Sequence, residues 1–364
     1  MSKHTDYTEL PGSMPPAKLL LRISSSIRLH RALWISAQLG VADYLESARD
    51  HPRGEKAEGV GDQNRDEPIT PVPVETLARE VGAEKNALYR VLRALASEGI
   101  FTEPAPRAFI HTRYSEPLRS DAPDSVRDVI LQHGDEPEWR AWGSMLHTIK
   151  TGEPAFEYVW GESPWRMYED TRARMTQISQ RDSKALAEHP LFRRAKHIVD
   201  VAGGEGNFLA SVLKANPYAV GTLFDRPTIV DSARALLDLA GVNDRCTIVG
   251  GDMFQSIPHS GDLYILKRTL HDWDDEHVLA ILGSLQKAMR GKGRLVILTE
   301  IIEPGNSPSS AKLSDLTLMV MLGGRHRTAQ EFYDLIEACG FVTEDFVELP
   351  STLSAIVAVP RNND

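Results

Sequence analysis

The stretch that decides the fold is HIVDVAGGEG, residues 197–206. An apolar run typical of a buried strand ends at Asp200, and a Gly-rich turn then leads into a helical pattern from about Asn207 to Lys214. Glycines in a strand-to-helix turn let a ligand approach the backbone where a Cβ would collide. This segment therefore predicts the first strand of an α/β domain and a ligand-binding turn after it.

The chain continues to alternate between strand and helix after this turn. Helical patterns separate the apolar runs GTLFD, CTIVGGD, DLYILK and RLVILTE, and the longest helix is expected from Asp275 to Met289. Such alternation predicts a parallel sheet with helices on both faces. Two final runs, FVTEDFVEL and LSAIVAVP, are separated only around Pro350 and favour a terminal hairpin. We therefore expect a doubly wound, seven-stranded, Rossmann-like sheet.

Polar or flexible residues stand at the ends of four successive predicted strands. They are Asp200 with Gly203 and Gly204, Asp225, Asp252 with Met253, and Lys267. Ligands of such folds bind at this edge of the sheet, where Asp225 can bind both hydroxyls of a ribose and Met253 can lie against an adenine. Each residue alone could be a helix cap or a core contact, and nicotinamide-binding folds also combine a Gly turn with an acid. Four strand ends in succession favour a nucleotide-type cofactor.

A candidate general base follows the fourth strand. His271 begins the sequence HDWDDEH at a helix entrance, and histidine is suited to take a proton near neutral pH. The alternative is a simple helix start, in which Asp272 or Asp274 is the cap. Glu300 ends the fifth strand and Glu331 opens a later helix, so either could orient His271, although Glu331 near a helix start also favours the helix dipole.

At this point the chain resembles a known family. DVAGGEG, FDRP, GGDMF and LKRTLHDWDDEH are similar to successive motifs of the S-adenosylmethionine-dependent O-methyltransferases of the plant caffeate, acetylserotonin and bacterial natural-product type. The segment GRHRTAQEF is most similar to bacterial enzymes that modify phenazines and aromatic polyketides. Ala202 departs from the pattern, because the family often has glycine there.

The resemblance implies S-adenosylmethionine as the cofactor and a hydroxyl of a small aromatic metabolite as the acceptor. It implies cofactor contacts from Gly203, Asp225, Asp252, Met253 and Lys267. His271 would then be the base, flanked by Glu300 and Glu331, with Glu331 orienting it, Glu300 shaping the site and Asp272 touching substrate.

The N-terminal third has a winged-helix pattern. Residues 74–101 predict two short helices around Val81–Gly82, and a β-wing with a turn at Pro104–Arg107 follows. DNA binding is the literal interpretation, but Glu80, Glu84 and Glu98 interrupt any basic face, and the net charge is -10. The resemblance favours a dimerisation domain instead. Upstream, residues 17–45 predict two helices, the second ending near Gly40 and giving way to VADYL.

We expect three regions along the chain. Residues 1–120 would form the dimerisation domain with a disordered polar insertion at 47–70, residues 121–190 a helical connector that lines the substrate pocket, and residues 191–364 the catalytic domain. Aromatic and Met residues of the connector are typical of core but also suit a flat substrate. The substrate candidates are Trp160, Met175, Asp272 and Met321.

Composition sets the remaining expectations. Cys246 and Cys339 do not have the spacing of metal ligands, so we expect no metal site. No apolar run has the length of a membrane span, so we expect a cytoplasmic protein without a membrane partner. We also expect a homodimer that binds no nucleic acid. The homodimer follows from apolar helix faces that a polar N-terminus cannot cover. Three other functions stay open: a small-molecule-sensing regulator, a hydroxylating relative of the same fold, and methylation at carbon, nitrogen or sulfur.

Overall fold

The computed structural model describes residues 14–50, 70–167, 183, 186–259 and 261–361. The chain divides into two units, residues 1–135 and 136–364. This division lies inside the predicted connector, and the three predicted domain limits stay a prediction. Most of the predicted insertion at 47–70, as well as Met175, lies outside the described residues.

In its described residues, the N-terminal unit combines five α-helices with a small sheet. The helices are α1 (Pro16–Gln38), α2 (Val41–Asp50), α3 (Val74–Glu80), α4 (Lys85–Ser97) and α5 (Arg127–His133), and the strands are β1 (Val72–Pro73), β2 (Phe101–Ala105) and β3 (Ala108–His111). The sheet is antiparallel with the order β1-β3-β2. Leucines of α3 and α4 pack with Phe101 and Phe109 in its core.

The prediction of a helix break before Gly40 is wrong. α1 is one continuous helix of 23 residues, and VADYL opens α2. No Gly or Pro interrupts residues 17–39, so nothing there stops the helix. The break falls at Gly40, whose φ of 66° is a left-handed conformation that favours glycine.

The second unit begins with short helices and continues as an α/β sheet. The helices are α6 (Glu136–Gly143), α7 (Met145–Thr151), α8 (Ala155–Trp160), α9 (Pro164–Met167), α10 (Asn207–Ala215), α11 (Pro227–Val230), α12 (Ala233–Ala240), α13 (Asp275–Met289), α14 (Ser310–Met321) and α15 (Ala329–Ala338). The strands are β4 (His197–Val201), β5 (Val220–Asp225), β6 (Cys246–Gly250), β7 (Leu263–Lys267), β8 (Arg294–Thr299), β9 (Phe341–Glu348) and β10 (Ser354–Pro360).

These seven strands form one mixed sheet with the order β6-β5-β4-β7-β8-β10-β9. β4 to β8 are parallel, whereas β10 is antiparallel to both β8 and β9. The predicted terminal hairpin is therefore confirmed. Separate apolar clusters contain α10 and α12 in one case and α13 and α15 in the other. Within the described residues, no helix is both long and apolar enough to cross a membrane.

Candidate active site

The carboxyl ends of the parallel strands define one edge of the sheet. Strand order reverses direction at β4 and β7, because β5 and β6 extend to one side of β4 and β8 extends to the other side of β7. Such a switch point opens a crevice at the carboxyl ends, where ligands of α/β sheets bind. All four predicted strand-end groups lie at this edge.

The Gly turn after β4 has little room for side chains. A Cβ on Gly203 would come within 2.6 Å of Leu223 Cδ1 and 2.7 Å of Asp200 Cγ, and Gly204 has φ 61°. Ala202 also has a left-handed φ of 57°, which costs a non-glycine residue about 1 kcal/mol. The backbone of the turn is therefore the surface that a ligand would meet, and the departure at Ala202 carries some strain.

Asp225 fixes this turn from the end of β5. Its Oδ2 accepts a hydrogen bond from the Gly204 backbone N–H at 2.8 Å, and its Oδ1 accepts one from the Arg226 N–H at 2.7 Å. The carboxylate is thus held against the Gly turn, and because a carboxylate oxygen can accept more than one hydrogen bond, a ligand hydroxyl can also bind to it.

Two opposite charges are buried at the centre of the edge. Asp200 is 1% exposed and Lys267 9% exposed. Burial raises the pKa of the Asp200 carboxyl to about 7, Lys267 opposes this rise, and Asp225 adds to it. Among the described residues, Asp200 Oδ2 has no hydrogen-bond partner. A carboxyl and an ammonium buried together suit a ligand that carries both charges, as the amino-acid end of S-adenosylmethionine does.

Asp252 and Met253 follow β6. The Asp252 carboxylate is exposed and accepts hydrogen bonds from Phe254 N at 2.9 Å and Gln255 Nε2 at 2.9 Å. Met253 packs against the cluster that contains β7 and α13. The pair offers an acceptor and a polarisable thioether at the same sheet edge, as an adenine would require.

His271 lies in a 3₁₀ turn, Leu270–Asp272, directly after β7. Its side chain is 12% exposed, and its Nε2 lies 3.3 Å from Asp272 Oδ1. Nδ1 is enclosed by protein and has no hydrogen-bond partner among the described residues. A substrate hydroxyl can therefore approach only Nε2 of His271. A proton transferred to Nε2 would be stabilised by the Asp272 carboxylate.

A buried arginine holds the turn that carries His271. Arg327 is 0% exposed and donates hydrogen bonds to Leu270 O at 3.0 Å, Trp273 O at 2.8 Å and Asp275 Oδ1 at 2.8 Å. Nearby, a Cβ on Gly324 would collide with the backbone carbonyls of His271 and Asp272. The segment 324–327 therefore packs directly on the backbone of the 270–275 turn and fixes its position.

Neither predicted acid forms a hydrogen bond or an ion pair with His271. Glu300 accepts a hydrogen bond from Arg268 at 3.0 Å and one from Thr352 Oγ1 at 3.2 Å. Glu331 is exposed, and its carboxylate accepts the backbone N–H of Thr328 at 2.8 Å in a capping box that starts α15. Because no hydrogen bond or ion pair joins Glu331 to His271, the orienting role predicted for Glu331 is corrected. Asp272 and His326 are titratable neighbours of the His271 ring.

The chain matches a known protein family over most of its second unit. The model of the O-methyltransferase domain matches residues 142–342. The chain belongs to this O-methyltransferase family. It is an S-adenosylmethionine-dependent O-methyltransferase, and the strand-end residues described above fit that cofactor.

Relatives of known activity cover nearly the whole methyltransferase. The phenazine O-methyltransferase of Lysobacter antibioticus is 36% identical over 96% of this chain and 98% of its own. The phenazine-1-carboxylate N-methyltransferase of Pseudomonas aeruginosa is 31% identical over 95% of this chain and 98% of its own. The structure of CalO1, a methyltransferase of calicheamicin biosynthesis with S-adenosylhomocysteine bound, is 29% identical, covers 96% of this chain and 100% of its own, and has a TM-score of 0.79.

Two of the substrate candidates lie in one cluster of the methyltransferase. Met321 is buried, and Trp160 packs against the same group as Trp142 and Met145. Trp160 Nε1 donates a hydrogen bond to Pro137 O at 3.2 Å. Trp160 and Met321 thus belong to a small apolar cluster. This agrees with the interpretation of the aromatic and Met residues of the connector as core.

Sequence reasoning missed His326 and Arg327 in this methyltransferase. Both lie in GRHRTAQEF, which the sequence analysis used only for its resemblance. Basic residues between two glycines and a helix start could have drawn attention to the segment. Their contacts with the 270–275 turn, however, span 52 to 57 residues and cannot be read from spacing.

Proposed function

We propose that this methyltransferase methylates a hydroxyl group of a small aromatic metabolite, with His271 as the general base. The observation that carries the proposal is the placement of His271, whose approachable Nε2 lies beside Asp272 at the sheet edge that also holds the Gly turn. The phenazine O-methyltransferase relative supports an aromatic acceptor.

The proposed cofactor residues bind different parts of the cofactor along the sheet edge. S-adenosylmethionine supplies a methyl group on a sulfonium, which is a good leaving group. Asp225 binds the ribose hydroxyls, and Asp252 with Met253 faces the adenine. Gly203 and Gly204 allow close approach to the backbone, whereas Asp200 and Lys267 pair with the amino-acid end.

The acceptor hydroxyl needs help from a base. A phenol has a pKa near 10 and is a weak nucleophile at neutral pH. Nε2 of His271 takes its proton, and Asp272 stabilises the imidazolium and contacts the substrate. Glu300 shapes the site through Arg268. Glu331 acts at a distance, because its capping box fixes the start of α15 beside Arg327.

The acceptor lies against apolar side chains in this proposal. Trp160 and Met321 form its lining, and in-line placement of the hydroxyl within about 3–3.5 Å of the methyl group supplies most of the rate. Flat aromatic substrates suit such a surface because Met side chains adapt to them.

The acceptor class is tested by mass spectrometry. Hydroxyphenazines, hydroxyanthraquinones and simple phenols are each incubated with the protein and S-adenosylmethionine, and we expect a gain of one methyl on oxygen. Phenazine-1-carboxylate is included because the N-methyltransferase relative favours nitrogen as a second candidate. Fragmentation that places the methyl on nitrogen or carbon would refute O-methylation.

Asp225→Ala should weaken binding of S-adenosylhomocysteine by roughly 1.5–3 kcal/mol, the worth of a charge-assisted hydrogen bond. Asp225→Asn should lose less, because an amide oxygen can still accept from Gly204 and from a hydroxyl. Isothermal titration calorimetry measures both. Equal affinity of Asp225→Ala and the parent would contradict the ribose role.

We further propose that the N-terminal unit is a winged-helix dimerisation domain rather than a DNA-binding one, with the catalytic domain at 191–364 and a connector at 121–190. The order of α3, α4 and the β2–β3 hairpin supports the winged helix. α1 exposes a row of apolar side chains, Leu20, Leu21, Ile23 and Ile27, each more than half exposed. A second copy of the chain would cover such a row.

The protein should be a dimer in light scattering at micromolar concentration, since interfaces of obligate dimers commonly exceed about 2,000 Å². Ile23→Glu combined with Ile27→Glu should shift the mass toward the monomer, because charges would be buried in the interface. Leu239→Glu is the matched control, as Leu239 is 91% exposed on α12. A monomeric parent would exclude the dimer.

A further inference from the structure

The two central strands of the sheet are followed by residues in the same backbone conformation. Ala202 follows β4 with φ 57°, and Arg268 follows β7 with φ 54°. Both values lie in the left-handed region, which a residue with a Cβ adopts only at an energetic cost. Such a conformation persists at functional sites where the surrounding structure enforces it.

These two residues lie where the crevice of the sheet edge opens. The ladder between β4 and β7 does not continue to Ala202 or Arg268. Each residue bonds to the strand on its other side instead. The Ala202 N–H donates to Phe224 O of β5 at 2.8 Å. The Arg268 N–H donates to Leu298 O of β8 at 2.9 Å.

The side chain of Arg268 is anchored on two other elements. Its Nη1 donates a hydrogen bond to Glu300 Oε1 at 3.0 Å, and its Nη2 donates one to Thr352 Oγ1 at 3.3 Å. The Thr352 hydroxyl in turn donates to Glu300 Oε1 at 3.2 Å. Glu300 directly follows β8, and Thr352 lies between β9 and β10. The guanidinium is therefore held by residues outside the chain that leaves β7.

Anchoring of the side chain fixes the backbone of Arg268. The side chains of Arg268 and Glu300 are only 23% and 14% exposed, so solvent screens this ion pair less than a surface pair. A change of φ at Arg268 to the right-handed region would swing its Cβ and pull the guanidinium away from both partners. The contacts thus offset the cost of the left-handed conformation.

The 270–275 turn begins two residues after Arg268 and carries His271. The direction in which the chain enters this turn depends on the backbone of Arg268. Lys267, in contrast, is still paired with β8 in the parallel ladder. A change at Arg268 should therefore move the proposed base and leave the proposed cofactor lysine in place.

We propose that Arg268 is a positioning residue, whose anchored side chain enforces the left-handed backbone that aims the turn with His271 at the acceptor. The proposal rests on the proposed role of His271 as the base. It also gives a physical reason for the action of Glu300 through Arg268, since Glu300 is one of the two anchors.

Alanine and glycine at position 268 separate this role from a direct action of the guanidinium. Both variants lack the anchors, but glycine adopts a left-handed φ at little cost, whereas alanine favours another φ. Arg268→Ala should lower kcat by about ten- to hundredfold, because a displacement of about 1 Å at a reacting group can cost 10²-fold. Arg268→Gly should lose only about two- to threefold. Equal losses in the two variants, or no loss in either, would overturn the proposal.

Two measurements accompany the kinetics. Calorimetry should give both variants the affinity of the parent for S-adenosylhomocysteine, since Lys267 keeps its place. Arg290 provides the matched control, because it also has a left-handed φ, of 51°, but follows α13 and is exposed. Arg290→Gly should melt at a higher temperature than Arg290→Ala, and both should keep the kcat of the parent. A kcat difference within the Arg290 pair would trace the effect to stability and contradict positioning.

Thr352→Val removes one anchor at an exposed position. It should lower kcat by about two- to threefold in the parent and have no effect in Arg268→Gly, because the hydroxyl acts only through Arg268. The same effect in both backgrounds, or none in either, would refute the proposal even if Arg268→Ala does not fold. The base role fails on a different result, retained activity in His271→Ala, so the two failures are distinguishable.

Discussion

Replacing His271 by alanine should lower kcat by about 10²–10⁴-fold, the usual range for a lost general base. Affinity for S-adenosylhomocysteine should stay near that of the parent, because the proposed base acts on the acceptor and not on the cofactor. The loss is expected on a phenol whose pKa is near 10, since such a hydroxyl is mostly protonated at neutral pH. The activity that remains in His271→Ala should depend on pH through ionisation of the substrate hydroxyl, because no side chain then removes its proton.

His277→Ala is the matched control for this experiment. His277 belongs to the same HDWDDEH segment, but its side chain is 49% exposed and its Nδ1 bonds to Asp274 at 2.7 Å. It should keep nearly full activity. If His271→Ala also keeps most of its activity at neutral pH, methyl transfer depends on proximity alone and the base role is lost.

Gly324→Ala should lower kcat by about 10²-fold, although it adds a single methyl group. A Cβ there would lie 2.5 Å from the carbonyl carbon of Asp272 and would also meet the carbonyl oxygen of His271. These are backbone atoms, which cannot rotate away as a side chain can, so the 270–275 turn must move. A displacement of about 1 Å at a reacting group can cost 10²-fold in rate.

Gly283→Ala provides a matched Gly-to-Ala control. Gly283 lies within α13, and a Cβ there would meet nothing within 4 Å. That variant should be slightly more stable and fully active, because alanine is favoured over glycine in a helix. Steady-state kinetics and thermal melting measure both variants. A fully active Gly324→Ala would show that the turn tolerates the shift and that its contact with segment 324–327 does not position His271.

Local sequence signals predicted the fold of the second unit well. The helix expected from Asp275 to Met289 has those ends in the structure, because Asp274 caps it and the chain turns left-handed at Arg290. α1 was predicted less well, because two helices were expected where the structure has one continuous helix.

The candidate site also contains residues that were placed correctly and one that was misassigned. Asp200, Asp225, Asp252 and Lys267 could be placed at one edge because parallel strands bring their carboxyl ends together. Glu331 was misassigned even though a local signal was present. Thr328 and Glu331 have the spacing of a capping box, and the carboxylate is used there.

The sequence by itself determined the alternation of strands and helices, the Gly turn and the residues at the strand ends, because these depend on hydrophobic period and short-range turn chemistry. Only the tertiary structure decided which groups face His271. Arg327 reaches its turn across 57 residues, and His326 meets its ring across 55. Packing of the segment before α15 against the 270–275 turn creates these contacts, and no periodicity encodes which side chains meet when separate elements pack.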